Sequence, residues 1–178
     1  VGRGPLAGPV TCAAVIMPLD DLIEGVNDSK KVAKKKRERL AELIKEKAVA
    51  YCVASYDNRK IDEMNILAAT KACMAEAVAG LAVTPDVVIV DALTLDIPVR
   101  TFGIVHGDAQ SYSIAAASIL AKVERDAYMT GMDEVYPGYG FSSNAGYGTA
   151  AHLAALKELG PTPIHRRTFI GHFVDADE

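Results

Sequence analysis

The chain has 178 residues, of which half are hydrophobic, and this suits one domain with a single buried core. Its 23 acidic residues outnumber its 19 lysines and arginines, so the net charge of −4 argues against a generally basic surface for nucleic acid. No apolar run approaches the roughly 18 residues that cross a bilayer, and no secretory leader is evident, so we expect a cytoplasmic protein with no membrane contact.

The chain opens with VGRGPLAGPV, which places Arg3 between Gly2 and Gly4. Glycine and proline clusters usually mark turns, and a turn is one interpretation here. The other is an anion contact, because such a bend lets backbone N–H groups and a guanidinium approach a phosphate closely. The glycine spacing does not fit a dinucleotide-binding motif, so these two interpretations stay open.

Residues 10–18 predict a buried strand, and residues 34–47 predict a helix with Leu40 and Ile44 on its apolar face. A cluster of cations covers the start of this helix, against the preference of the helix dipole, and indicates a polyanionic partner. The cluster contains Lys30, Lys31, Lys34, Lys35, Lys36, Arg37 and Arg39.

A strand at 48–56 is followed by a long apolar periodicity, which predicts one helix over 61–81 that ends near Gly80. The predicted buried face consists of Ile61, Met64, Ala68, Ala72 and Ala75. The three cysteines, Cys12, Cys52 and Cys73, form no C-x-x-C pair, so we expect buried reduced thiols.

Two further strands are predicted in DVVIVDALTL and IPVRTFGIV, and the first ends at Asp91. Strands that alternate with helices predict an α/β fold with a mixed or parallel sheet. Sites in such sheets gather at the carboxyl ends of strands. Asp91 is therefore either a turn residue or part of a site.

Residues 108–129 predict a helix whose polar positions fall on one stripe: Ser111, Ala115, Ser118, Lys122 and Asp126. Buried polar groups need partners, so these side chains either satisfy one another or line a site. If Asp126 meets Asp91, two carboxylates could bind Mg²⁺ or Mn²⁺. The absence of a Cys/His cluster makes zinc improbable.

The order and spacing of several motifs resemble the bacterial ribonuclease HII family over nearly the whole chain. These motifs are GRGPLAGPV, DSKK, IDEMNILAAT, PDVVIVD, GDAQSYSIAAASILAKVERD, YPGYGF, GYGT and HRRTF. The resemblance implies a ribonuclease H-like fold, with a mixed sheet flanked by helices and a helical C-terminal part, in one catalytic domain over residues 1–178.

The resemblance also implies an activity. Family members hydrolyse the RNA strand of RNA/DNA hybrids and nick duplex DNA on the 5′ side of embedded ribonucleotides, leaving 3′-hydroxyl and 5′-phosphate ends. Two bound Mg²⁺ or Mn²⁺ ions would activate the attacking water and stabilise the leaving oxygen. The family is usually monomeric, which predicts a monomer here.

The resemblance assigns roles to individual residues. Asp91 and Asp126 match two of the four metal-binding acids of the family. The bend from Gly2 through Arg3 to Gly4 matches the element that contacts the backbone around the ribose 2′-OH, and Tyr147 matches a tyrosine that packs on the deoxyribose after the RNA-to-DNA junction. We assign phosphate contacts to the cations Lys30 and Lys31, and substrate contact to the stripe residue Ser118.

Some positions depart from the family pattern. An Asp-Glu pair normally stands just before the Gly-Arg-Gly element, on a central strand, so we expect this domain to be incomplete at its N-terminus. His106 replaces a usual lysine, and Asn144-Ala145 replaces a usual His-Lys. The alternative hypothesis is therefore a catalytically silent protein that binds RNA/DNA hybrids.

Overall fold

The computed structural model describes residues 1–174, and helices and strands alternate through much of that range. The strands are β1 (Val10–Ile16), β2 (Ala50–Tyr56), β3 (Val87–Asp91) and β4 (Arg100–Ile104). The helices are α1 (Lys34–Lys47), α2 (Asn58–Met64), α3 (Ile66–Ala79), α4 (Gly107–Gln110), α5 (Tyr112–Val135), α6 (Phe141–Asn144), α7 (Ala150–Leu159) and α8 (Arg167–Ile170).

The strands pair two by two, β1 with β2 and β3 with β4. The second pair is parallel, with Val87 opposite Arg100 at one end and Asp91 opposite Ile104 at the other. Asp91 is therefore the last residue of its strand, as the sequence predicts.

The chain forms two compact units. The first consists of Val1, Thr11–Ala54 and Lys71–Val123, and the second of Gly2–Val10, Ser55–Thr70 and the described residues from Glu124 onward. The expectation of one domain over residues 1–178 remains a prediction.

The core of the first unit confirms the predicted face of α1. Leu40 and Ile44 are buried there together with Ala41, and they belong to the same cluster as Ile119 and Leu120 of α5. The helix ends where predicted, at Lys47, with Ala48 as its C-terminal cap.

The prediction of one helix over 61–81 is wrong, because Asn65 separates α2 from α3. Its backbone has φ 76° and ψ 162°, a conformation that stops a helix. The side chain of Asn65 then caps α3, since its Oδ1 accepts a hydrogen bond from the amide of Ala68 at 2.9 Å. The break rotates the buried face of α3 onto Ala69, Cys73 and Ala77.

Ser111 also lies outside the helix predicted for it. It follows α4, where its amide donates to the carbonyl oxygen of Gly107 at 2.7 Å. Its Oγ accepts a hydrogen bond from the amide of Ile114 at 3.3 Å, near the start of α5. Ser111 is thus a connecting residue, and the polar stripe on α5 begins after it.

The three cysteines form no disulfide, as expected, although only Cys12 and Cys73 are fully buried, and Cys52 is half-buried. A hydrogen bond with Cys12 and burial raise the pKa of the Cys73 thiol, which keeps it protonated. In the range that the structure describes, none of the helices combines the length and apolar character needed to span a membrane.

The break at Asn65 gives a first prediction. Asn65→Ala removes the cap of α3 but keeps a side chain at positive φ, so we expect it to lower the free energy of unfolding by roughly 1–2 kcal/mol. Asn65→Gly also loses the cap but relieves the backbone, so its loss should be smaller by about half or more. Urea denaturation of the two variants measures the difference, and equal losses would contradict this account.

Candidate functional site

The Gly-Arg-Gly bend lies in the second unit, with Gly2 buried and with Arg3 and Gly4 exposed. Gly2 has φ 82°, and a Cβ atom there would collide with the side chain of Arg125 and lie 2.8 Å from the carbonyl oxygen of Pro9. Only glycine fits this position, for reasons of both backbone conformation and space. The bend therefore exposes a guanidinium and a glycine on a tightly packed base.

Arg166 forms much of that base. Its side chain is completely buried, and its Nη2 donates to the carbonyl oxygens of Gly2 at 2.6 Å and Pro9 at 3.2 Å. Nη1 donates to the carbonyl oxygen of Arg3 at 2.9 Å, and Nε donates to that of Gly8 at 3.0 Å. One guanidinium thus holds four main-chain carbonyls of the first nine residues.

Arg125, on α5, holds the same segment from a second position. It is 1% exposed, and its Nε and Nη2 donate to the carbonyl oxygens of Pro9 at 2.8 Å and Ala7 at 3.0 Å. Its Nη1 reaches the carbonyl oxygen of Ala145 at 2.7 Å. Arg125 therefore ties the opening segment to the loop that carries Tyr147.

Both guanidinium groups are positively charged although they are almost completely buried. Burial lowers the pKa of Arg125, while burial and then the charge of Arg125 lower the pKa of Arg166 to about 9. The carbonyl dipoles satisfy these donors, and within residues 1–174 no buried side-chain nitrogen or oxygen lacks a hydrogen-bond partner.

The loop that carries Tyr147 lies beside the bend. The amide of Leu6 donates to the carbonyl oxygen of Gly146 at 2.8 Å, and a Cβ atom on Gly4 would lie 3.5 Å from Cε1 of Tyr147. The Tyr147 side chain is 44% exposed. The structure therefore brings together four of the predicted site residues, Gly2, Arg3, Gly4 and Tyr147.

Asn144 shapes this loop from within. Its Oδ1 accepts from the amide of Gly146 at 2.8 Å, and its Nδ2 donates to the carbonyl oxygen of Tyr139 at 2.8 Å. The departure from the family pattern at this position thus has a structural role, because both polar atoms of the amide are used inside the loop.

Two buried histidines, His152 and His165, support the same loop, and the sequence analysis missed both. The ring atom Nδ1 of His152 lies 2.8 Å from the carbonyl oxygen of Tyr147, and its Nε2 lies 2.9 Å from Nε2 of His165. The sequence has only four histidines, and one of these two lies on a helix that Thr149 caps. This scarcity was the available sign that the two residues have a specific role.

Asp91 belongs to the first unit, where its Oδ1 accepts a hydrogen bond from the amide of Gly107 at 2.9 Å. Two further acids, Asp28 and Asp108, lie close to each other in the same unit. Burial and then a hydrogen bond with Asp28 raise the pKa of the Asp108 carboxyl. A hydrogen bond from the amide of Lys30 lowers the pKa of Asp28. Sequence analysis did not single out these two acids.

Four predicted site residues remain, and each is described within its own unit. Lys30 and Lys31 are exposed in the first unit, and Ser118 is half-buried on α5 in that unit. Asp126 is half-buried and belongs to the second unit. The roles predicted for these residues remain predictions.

The fit of a metal ion depends on the carboxylates. Oxygen ligands suit Mg²⁺ or Mn²⁺, and Mg²⁺ often takes only one or two carboxylates together with water and substrate phosphates. Over residues 1–174, however, no three His, Cys, Asp or Glu side chains are grouped so that they could hold a metal ion. The described residues thus offer single carboxylates and one pair of acids, but no group of three potential ligands.

Solved structures with the same fold define the class of protein. The crystal structure of ribonuclease H2 from Pyrococcus horikoshii OT3 has a TM-score of 0.78 and 26% identity, and the match covers 94% of this chain and 90% of that one. The RNase HII of the PCNA:RNase HII complex from Archaeoglobus fulgidus has a TM-score of 0.81 and 27% identity, covering 97% and 93%. These matches confirm the predicted ribonuclease H-like α/β fold.

Sequence comparison narrows the class to a family. The family model for ribonuclease HII matches residues 1–172. Ribonuclease HII from Shouchella clausii (strain KSM-K16) is 54% identical over 169 residues, or 95% of this chain and 65% of the relative. Ribonuclease HII from Enterococcus faecalis (strain ATCC 700802 / V583) is 56% identical over 169 residues, or 95% and 66%. The chain belongs to the ribonuclease HII family and spans just under two thirds of the length of these relatives.

The carbonyl contacts of Arg166 give a second prediction. Arg166→Lys keeps the charge but cannot reach four carbonyl oxygens, so we expect the free energy of unfolding to fall by roughly 3–5 kcal/mol. The matched control is Arg167→Lys, at the adjacent exposed position, which should change it by less than about 0.5 kcal/mol. Guanidinium chloride titrations test both, and similar losses in the two variants would refute the role of Arg166.

The histidine pair gives a third prediction. Burial and then His152 lower the pKa of His165 to about 4, from an ordinary value of 6.5. The unfolded chain therefore binds a proton at higher pH than the folded chain, so the stability from neutral His165 is complete above pH 6.5 and is lost as the pH falls towards 4.

We expect the wild-type protein to lose roughly 2–3 kcal/mol more than a His165→Asn variant between pH 7 and pH 4.5. Asparagine does not titrate and can still accept a hydrogen bond near the Nδ1 position. Urea denaturation at the two pH values measures this difference, and parallel losses would contradict the assignment.

Proposed function

We propose that this protein is an endonuclease that hydrolyses the RNA strand of RNA/DNA hybrids and nicks duplex DNA on the 5′ side of embedded ribonucleotides. The main support is the exposed Gly-Arg-Gly bend beside the exposed ring of Tyr147, on a base of buried arginine contacts. The names of the bacterial relatives are consistent with this activity. We also propose that it acts in the cytoplasm as a monomer.

The geometry of the bend supports recognition of a sugar-phosphate backbone. Arg166 holds the carbonyl oxygens of Gly2 and Arg3. In a trans peptide the N–H points opposite to the C=O, and the chain has no cis peptide bond in residues 1–174. The amides of Arg3 and Gly4 therefore point away from Arg166. Two such donors and the exposed Arg3 guanidinium suit a ribose 2′-OH and the phosphate next to it.

We propose that Asp91 and Asp126 each contribute one carboxylate to metal binding. Asp91 ends β3, and Asp126 lies on α5; each could give carboxylate oxygen to Mg²⁺ or Mn²⁺. When bound, two such ions would favour deprotonation of the attacking water and stabilise charge on the leaving 3′-oxygen, which gives 3′-hydroxyl and 5′-phosphate ends. Lys30 and Lys31 would add phosphate contacts and Ser118 a further substrate contact.

The alternative function is binding of hybrids without cleavage. It is favoured by one observation, that no group of three potential metal ligands occurs in residues 1–174. Such a protein would keep the bend, Tyr147 and the exposed lysines, and its affinity would fall steeply with salt.

The test uses a DNA duplex with one ribonucleotide, incubated with Mg²⁺ and then with Mn²⁺. It compares this chain with one that is extended before Val1 by a segment ending in Asp-Glu, as the family pattern has it. Cleavage on the 5′ side of the ribonucleotide by either chain supports the proposal. Salt-sensitive binding without cleavage by both chains supports the alternative.

A fourth prediction concerns Asp126. In whichever chain cleaves, Asp126→Asn should reduce turnover by more than about 100-fold, because even outer-shell partners of a metal affect activity 10- to 100-fold. The thermal unfolding midpoint should stay within a few degrees. Glu124→Gln, at an exposed position on the same helix, is the control and should cleave normally. Undiminished turnover of Asp126→Asn would overturn the assignment.

A further inference from the structure

The hydrogen-bond partners of His152 and His165 determine which ring nitrogen of each carries the proton. The amide of Thr162 donates to Nδ1 of His165 at 2.9 Å, so this nitrogen is an acceptor and carries no proton. The proton of a neutral His165 therefore lies on Nε2. This Nε2 is 2.9 Å from Nε2 of His152, which must then accept.

The same reasoning passes through the second ring. Because Nε2 of His152 accepts, its proton lies on Nδ1, which donates to the carbonyl oxygen of Tyr147 at 2.8 Å. The hydrogen bonds thus run in one direction, from the amide of Thr162 through two neutral imidazoles to Tyr147. Each ring has a single tautomer that satisfies all its neighbours.

Tyr147 is unusually well held for a residue with an exposed side chain. Its carbonyl oxygen also accepts from the amide of Thr149 at 2.9 Å, and its amide donates to the carbonyl oxygen of Asn144 at 2.9 Å. The backbone on both sides of the Tyr147 Cα is therefore fixed, while the residue keeps 44% of its solvent-accessible surface exposed. A fixed backbone with an exposed aromatic ring is the arrangement expected of a residue that presents its ring to a ligand.

We propose that His152 and His165 are positioning residues that fix the backbone from which the Tyr147 ring projects, and thereby set the preference for a deoxyribose after the ribonucleotide. This proposal rests on the proposed function, in which Tyr147 packs on that sugar.

The surroundings keep His165 neutral. Both rings are fully buried, and the aromatic rings of Tyr139 and Phe141 lie with their centroids 5.4–6.4 Å from them. Burial, His152 and the cation of Arg167 lower the pKa of His165 to about 4. We call the hydrogen bonds from Thr162 through His165 and His152 to Tyr147 the relay. A protonated ring would turn an acceptor nitrogen into a donor and break the relay, so the neutral state is the one that holds Tyr147.

The test compares two isosteric variants of His152. In His152→Asn the side-chain amide can take the place of Nδ1 and still donate to the carbonyl oxygen of Tyr147. In His152→Gln the amide takes the place of Nε2, so the contact with His165 is kept and the donor to Tyr147 is lost. Each variant is measured against a duplex with one ribonucleotide followed by DNA, and against a uniform RNA/DNA hybrid.

The measured quantity is the preference for the junction duplex over the hybrid, as a ratio of Kd values in EDTA and as a ratio of kcat/KM where cleavage occurs. We expect His152→Gln to reduce this preference about three- to tenfold, the range expected for one lost hydrogen bond, and His152→Asn to stay within about twofold of wild type. In a Tyr147→Ala background, His152→Gln should cause no further loss, because it acts through that ring.

Three results would overturn the proposal: an unchanged preference in His152→Gln, an equal loss in His152→Asn, or a full additional loss in the Tyr147→Ala background. If the wild type binds and cleaves neither substrate, the proposed function fails, and the ¹⁵N shifts of the imidazoles still test the relay in the unliganded protein. The relay requires a proton on Nδ1 of His152 and on Nε2 of His165 at pH 7, and the opposite tautomers would refute it without any variant.

Discussion

The contacts between two buried guanidiniums and main-chain carbonyl oxygens determine the shape of the candidate nucleic-acid-binding surface. Arg125 and Arg166 together make seven hydrogen bonds, six to residues of the opening segment and one to Ala145. Arginine suits this task, because its donors are fixed in a plane and remain charged. Without them the bend would be a glycine-rich turn with several alternative conformations, and its amides would have no defined direction.

Hydrogen bonds to main-chain atoms also hold the loop that carries Tyr147, beside the bend. Asn144, Thr149 and His152 each bind a backbone atom of the Tyr147 loop, so its conformation does not depend on the ring of Tyr147 itself. The exposed part of this side chain is available to contact a ligand. This division explains how a well-ordered loop can leave a large aromatic group exposed.

Much of the fold could be predicted from local patterns. The apolar spacing of Leu40 and Ile44 gave the correct bounds for α1, and the end of β3 at Asp91 followed from a short apolar run that stops at an acid. The break at Asn65 was missed because the apolar periodicity continues through it, whereas the positive φ of one residue decides where the helix stops. Because the break was missed, the predicted buried face of α3 was also wrong.

The candidate site could be predicted only in part. The bend and Tyr147 were found because their motifs resemble those of a family. The motifs that carry the resemblance include Arg125, His165 and Arg166, but no role was predicted for them or for His152, because charged or titratable residues are ordinarily expected at the surface. The partners of Arg166 include carbonyl groups 157 to 164 residues away along the chain, and no local pattern reveals such a distance. The roles of Lys30, Lys31 and the acids remain predictions.

The burial of the two guanidiniums has a consequence for the electric field at the surface. The chain as a whole is acidic, yet two positive charges lie beneath the bend without being in contact with solvent. Mobile ions screen a buried charge much less than an exposed one. In the proposed function, the attraction of the bend for a phosphate should therefore persist at ionic strengths that remove most of the attraction proposed for Lys30 and Lys31. Contact near the ribose would then outlast the general attraction for the duplex as salt rises.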